Sequence, residues 1–211
     1  MNAEKVLTSI NEIAKQYPEI TITKEFVVLA QSLREEIMLA EQKKAGKGDR
    51  YKAALRFSKD LNKEFYNSRP SIAGAFNGVK GEQYMIHPHY GVRYETPFEG
   101  LIEIGEALTP PSIEKLFDRY EGSKKVELPT LAELKAQLKV DKASGNTYNG
   151  KIITDLNGTC YQTKYLIQIL EMVEPTEAYF SSGHKFPSLI VMGEGAKGIV
   201  CPVNTEGGKR A

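Results

Sequence analysis

The stretch from Lys151 to Asn204, KIITDLNGTCYQTKYLIQILEMVEPTEAYFSSGHKFPSLIVMGEGAKGIVCPVN, decides the fold. Lys151 to Leu156 reads as a strand and Asn157-Gly158 as a turn. Thr163 is placed to cap a helix with Leu166, Ile167, Leu170 and Val173 on its apolar face, stopped before Pro175. Three strands are then predicted, Glu177 to Ser181, Ser188 to Met192 and Gly198 to Val203, divided by Ser182-Gly183 and Gly193-Glu194-Gly195. Thr205 to Ala211 is a polar, basic tail.

Upstream, the first seventy residues are helical in pattern. Val6, Ile10, Ile13 and Ala14 recur at helical spacing up to Tyr17-Pro18. Thr23 is a candidate cap for a helix carrying Phe26, Leu29, Leu33, Ile37 and Ala40. After the polar break Lys43 to Asp49, a third helix is predicted from Arg50 to Tyr66, with Ala54, Phe57, Leu61 and Phe65 inward. Three short β runs follow, around Ile72 to Phe76, Gln83 to Ile86 and Val92 to Tyr94, with turns at Asn77-Gly78 and His89-Tyr90-Gly91. A further strand at Gly100 to Gly105, a short helix at Ile113 to Tyr120 and a helix at Leu131 to Val140 complete the reading, with Asp141 to Gly150 a polar loop.

Arg50 to Tyr94 and Thr163 to Val203 thus share one order, helix then three strands, without residue-level identity. The fold class expected is α+β: two helix-plus-antiparallel-strand halves, about 50–105 and 150–205, with a helical connection between them. An N-terminal helical extension, 1–49, and a flexible tail, 206–211, flank this domain.

Composition sets bounds on function. At 211 residues, 41% hydrophobic and 26% charged, the chain has ordinary globular values. A formal net charge of +1 means that any polyanion affinity must come from local clustering. Cys160 and Cys201 are too few for a disulfide framework and fit a reducing cytoplasm. No apolar run approaches the roughly 20 residues of a membrane span, so no membrane partner is expected.

The strongest charge pattern is on the third helix. Lys52, Arg56, Lys59 and Lys63 are four, three and four apart, a single stripe roughly opposite the apolar face, with Asp60 and Glu64 off to one flank. A stripe of one sign suits contact with phosphates, because each cation displaces condensed counterions; as an ordinary solvated helix face it would look the same. The helix at Thr163 adds Lys164 but sets it against Glu171 and Glu174. Lys43, Lys44, Lys47 and Arg50 form a second cluster that reads best as a solvated linker, and Gly46-Lys47-Gly48 lacks the rest of a nucleotide-binding loop.

His87-Pro88-His89 is the one tempting metal element, with His184 a conceivable third ligand. Pro88 cannot donate to a sheet ladder, and three histidines leave no spare ligands. Tyr84, Tyr90 and Tyr94 beside Arg93 have the chemistry to stack on bases, although strand packing explains them better. No nucleophile motif, dinucleotide fingerprint or convincing carboxylate pair occurs.

Tyr165-Leu166-Ile167-Gln168-Ile169-Leu170, Ala178-Tyr179-Phe180, Pro187-Ser188-Leu189-Ile190-Val191 and Ile199-Val200-Cys201-Pro202-Val203 together resemble the final half-domain of bacterial DNA sliding clamps, the processivity factors of replication. The resemblance covers about 55 residues well. It implies a domain of two pseudo-symmetric halves whose basic helix faces contact duplex DNA. A clamp chain carries three such domains and this chain has room for one, so encirclement would require a homo-oligomer. Asn204 stands where the family has a basic residue, which leaves the clamps' partner-peptide pocket without one of its usual groups.

The expectation is a non-enzymatic, cytoplasmic, DNA-associated module with no cofactor, contacting phosphates through Lys52, Arg56, Lys59, Lys63 and Lys164. The alternatives are a protein adaptor that keeps the fold without DNA binding and a metal-dependent enzyme using His87 and His89.

Overall fold

The computed structural model describes residues 3–17, 24–65, 74–78, 80–99, 101, 115–120, 124–181 and 187–204. The chain divides into two compact units, Met1–Lys52 and Ala53–Ala211.

In the first unit, α1 (Ala3–Gln16) and α2 (Lys24–Lys44) pack against each other. None of the described residues from Lys5 to Lys47 is fully buried, and Leu29, expected on the inward face of α2, is exposed. Thr23 lies outside the described residues. Gly46, at φ 75°, ends α2 in the left-handed region that lacks a penalty only for glycine. Lys43 and Lys44 belong to the last turn of α2, and Arg50 is buried, so the second basic cluster is not a continuous flexible loop.

The second unit is built on one six-stranded antiparallel sheet. Helix α3 (Gly48–Phe65) runs into it and buries Ala53, Ala54, Phe57 and Leu61. Strands β1 (Gly74–Asn77), β2 (Gln83–His87) and β3 (Tyr90–Tyr94) form the first meander. Helix α4 is Leu131–Ser144, and β4 (Ile153–Leu156) with β5 (Thr159–Gln162) make a separate hairpin. Helix α5 (Thr163–Val173) then leads into the second meander, β6 (Glu177–Phe180), β7 (Leu189–Gly193) and β8 (Ala196–Val200).

The sheet order is β1-β2-β3-β8-β7-β6. The last strands of the two meanders therefore meet at the centre, with Val92 opposite Gly198 and Arg93 opposite Lys197. The echo read from the sequence becomes a pairing: each half is a helix followed by three strands, and the halves join edge to edge. The class is α+β, as expected.

One face of the sheet receives α5. An added Cβ at Gly198 would meet Ile169 Cγ2 at 2.7 Å and both Val173 Cγ2 and Val191 Cγ2 at 2.9 Å, so glycine sets how closely helix and strand approach. Tyr94 Oη donates to the Met172 carbonyl at 3.2 Å, satisfying a buried hydroxyl at the same interface. Buried Gln83 is satisfied from both ends, donating to the Phe98 carbonyl at 3.2 Å and accepting from the Phe98 N–H at 3.1 Å. Tyr84, Tyr90 and Tyr94 are all buried, so their rings are packing groups and not a base-stacking platform. On the opposite face a helical turn, 115–117, places Phe117 edge-on to Tyr84 at 5.9 Å, beside Ile86 and Ile199. The expected helix there is described only in part, and the strand expected at Gly100 to Gly105 lies outside the described residues apart from Leu101.

Four local expectations change. Thr159 to Gln162, which the sequence reading leaves unassigned between the turn and the helix, is a strand, and Asn157-Gly158, with φ 53° and 83°, is the tight turn that pairs it with β4. Thr163 does not cap α5: Gln162 holds the cap position without a side-chain bond, while Thr163 is buried with its Oγ1 2.9 Å from Thr154 Oγ1. Helix α4 continues four residues past Val140, to Ser144, because Gly145 closes it at φ 70°. At the chain end, β8 runs from Ala196 to Val200, earlier than expected. Beyond it the Cys201 N–H donates to the His89 carbonyl and the Val203 N–H to the Cys160 carbonyl, so the terminal segment bridges the large sheet and the β4–β5 hairpin.

Candidate nucleic-acid interface

Lys52, Arg56 and Lys59 occur in helical order on α3, whose inward positions Ala53, Ala54 and Phe57 are buried. Lys52 and Arg56 are exposed and Lys59 is half-buried. Lys52 closes the first unit, whereas Arg56 and Lys59 belong to the second. The side chain of Lys63 lies outside the described residues.

Arg56 is not an unopposed cation. Its guanidinium donates to the Glu171 carboxylate of α5, and Lys135 of α4 places its Nζ 2.8 Å from the other oxygen of the same carboxylate. Glu171 therefore joins α3, α4 and α5, its side chain mostly shielded while Arg56 and Lys135 remain more than half exposed. The expected set of site residues omits Lys135; its helical spacing with Lys139 and Lys142 is the signal that marks it in the sequence.

Lys164, at the start of α5, is exposed but not beside the Arg56–Glu171 pair. It lines a cavity of about 50 Å³ with Asp60 and Leu61 of α3 and with His87 and Gln168. Of the five expected cations, Arg56 pairs with Glu171, and Lys164 shares the lining of a small cavity with Asp60.

The histidines belong to a packed aromatic group. Phe57 stacks on Tyr90 at 4.8 Å, Tyr90 on Tyr165 at 4.6 Å and Tyr165 on His89 at 5.9 Å, forming a column from α3 through β3 and α5. His87 Nδ1 accepts the His89 N–H at 3.1 Å, which leaves the proton of the neutral ring on Nε2. Burial, with His89 and Lys164 nearby, lowers His87 to about 4. Among the described residues no group of three or more His, Cys, Asp or Glu is arranged to hold a metal ion, and His184 lies outside them.

A larger pocket, of about 250 Å³, opens where the terminal segment crosses to the hairpin. Cys201 to Asn204 form one wall, with His89, Tyr165, Tyr148 and Lys151 among the others. Both cysteines are free thiols, and burial raises the Cys201 thiol despite a hydrogen bond to Ser188.

No family model matches the chain, and no similar curated protein or solved structure is found. Among the described residues, no helix is long and apolar enough to cross a membrane.

Proposed function

We propose that this protein is a non-enzymatic DNA-associated module, a shortened relative of the sliding-clamp design that contacts duplex phosphates through the exposed face of α3. The observation that carries the reading is the pairing of two helix-plus-three-strand halves through β3 and β8. The cations of α3 supply the chemistry: a basic stripe on a helix gains affinity by releasing counterions from the duplex. Glu171 accepts from Arg56 across the two helices and moderates that charge without removing it.

The test is equilibrium binding to mixed-sequence duplex DNA, comparing wild type with the combined charge reversal of Lys52, Arg56, Lys59 and Lys63. Salt-dependent binding that the reversal abolishes supports the reading, and binding that it leaves unchanged removes α3 from it. Encirclement is a separate matter, because one such domain cannot enclose a duplex. Light scattering that gives a multiple of 23.5 kDa supports a ring, whereas a strict monomer restricts the protein to one-sided contact.

A second reading, that of a protein adaptor, is favoured by the pocket at Cys201 to Asn204, whose walls mix Tyr148, Tyr165 and Val203 with Asn149, Lys151 and Gln162 and suit a partner side chain. Absence of any salt-dependent DNA binding by the wild-type protein selects this reading over the first.

A further inference from the structure

Lys135, Lys139 and Lys142 on α4 are four and three apart, the same interval as Lys52, Arg56 and Lys59 on α3. At that spacing they share one helix face, and all three are exposed. The two acidic residues of α4 fall off this face at helical spacing and hydrogen-bond neutral groups. Glu133 forms the capping box with Thr130, its carboxylate accepting the Thr130 N–H at 2.7 Å. Asp141 Oδ1 accepts from Asn146 Nδ2 at 2.9 Å, and its carbonyl closes the helix end. Helix α4 is held in place by Gln137, which donates to the Ile153 carbonyl at 3.2 Å and accepts from Thr154 Oγ1 at 3.1 Å. Its lysines therefore project from a fixed helix.

The two rows of cations meet at one carboxylate. Glu171 takes Arg56 from α3 and Lys135 from α4, so one carboxylate links the two rows, while Asp60 lies one turn beyond Arg56 on α3. A carboxylate bound by an arginine and a lysine has the chemistry of a phosphate held by the same two groups. We infer that α3 and α4 form one continuous surface for duplex DNA, in which Lys135, Lys139 and Lys142 carry phosphate contacts and Glu171 occupies the Arg56–Lys135 site until a phosphate displaces it.

This inference rests on the DNA-binding reading and extends it to a helix outside both repeated halves. Glu171 then limits affinity, because each phosphate engaged at that site must compete with an internal anion. Acidic polymers lacking the duplex spacing would meet the same charges, which makes heparin the appropriate control.

The experiment is fluorescence-anisotropy titration of the full-length protein with mixed-sequence duplex DNA over a salt series, and with heparin. The variants are Lys135→Ala/Lys139→Ala/Lys142→Ala, Glu171→Gln and Lys59→Ala. The inference expects the slope of log K against log salt to fall in magnitude by about 0.9 for each α4 lysine removed. It expects Glu171→Gln to bind more tightly and with a steeper slope, a gain that misfolding cannot imitate. If Lys59→Ala weakens binding while the α4 variant keeps the wild-type slope, the α4 surface is overturned and the α3 reading stands. Unchanged affinity in Glu171→Gln overturns the displacement step. Wild-type binding to heparin but not to duplex, or to neither, overturns both.

Discussion

Arg93 and Lys197 stand directly opposite each other on β3 and β8, and both reach Asp118, at 3.4 and 2.7 Å. Two like charges paired across the seam of the sheet repel, and the carboxylate from the 115–120 turn offsets that repulsion. Asp118 is exposed, and the partial burial it has raises its pKa, but the hydrogen bond from Lys197 and the charge of Arg93 outweigh this and hold it below the usual carboxylate range. Asp118→Asn is expected to destabilise the protein by about 1 kcal/mol, a value kept small because solvent screens a half-exposed carboxylate. Urea unfolding measures it. Adding Lys197→Met to Asp118→Asn should recover part of the loss, since the repulsion then disappears.

Gly198 fixes the approach of α5 to the middle of the same seam. Gly198→Ala forces a methyl group against Ile169, Val173 and Val191 and is expected to cost about 1–3 kcal/mol by overpacking. Thermal unfolding at neutral pH reads this directly.

His87 makes stability depend on acidity. Its folded value of about 4 lies below the ordinary 6.5 because burial disfavours the charged ring. Between those values the unfolded chain binds the proton and the folded protein does not. Stability is therefore full above pH 6.5 and falls as the pH drops towards 4, by an amount of order 3 kcal/mol. Urea midpoints across this range should fall less steeply in His87→Gln than in wild type, and equal slopes would remove His87 as the cause.

Helix α4 depends on its capping box. Thr130→Ala removes the acceptor for the Glu133 N–H at 3.2 Å and is expected to cost about 1 kcal/mol. Since α4 carries Lys135, the same change should also weaken DNA binding slightly while leaving the α3 cations untouched.

Much of this fold is legible in local signals. Pro129-Thr130 announces α4, Asn157-Gly158 announces a hairpin turn, and the apolar rows of α3 and α5 mark their buried faces. Strand β5 is harder to read because its four residues run straight into α5 without a break. Thr163 misleads because a hydroxyl at a helix start suits a cap equally well as the buried bond to Thr154 that it makes. The β3–β8 seam is not encoded in either strand alone, since Val92 and Gly198 come together only when both meanders have formed. For the site, the basic spacing on α3 is visible in the sequence, but the neutralising role of Glu171 requires three helices in place.

The most direct test of DNA association is the affinity of the wild-type protein for duplex DNA measured against salt. A linear fall of log K with log salt, reduced by about 0.9 for each α3 cation removed, is the predicted result. Failure to bind the duplex at low salt, or binding insensitive to both salt and the α3 substitutions, would contradict it.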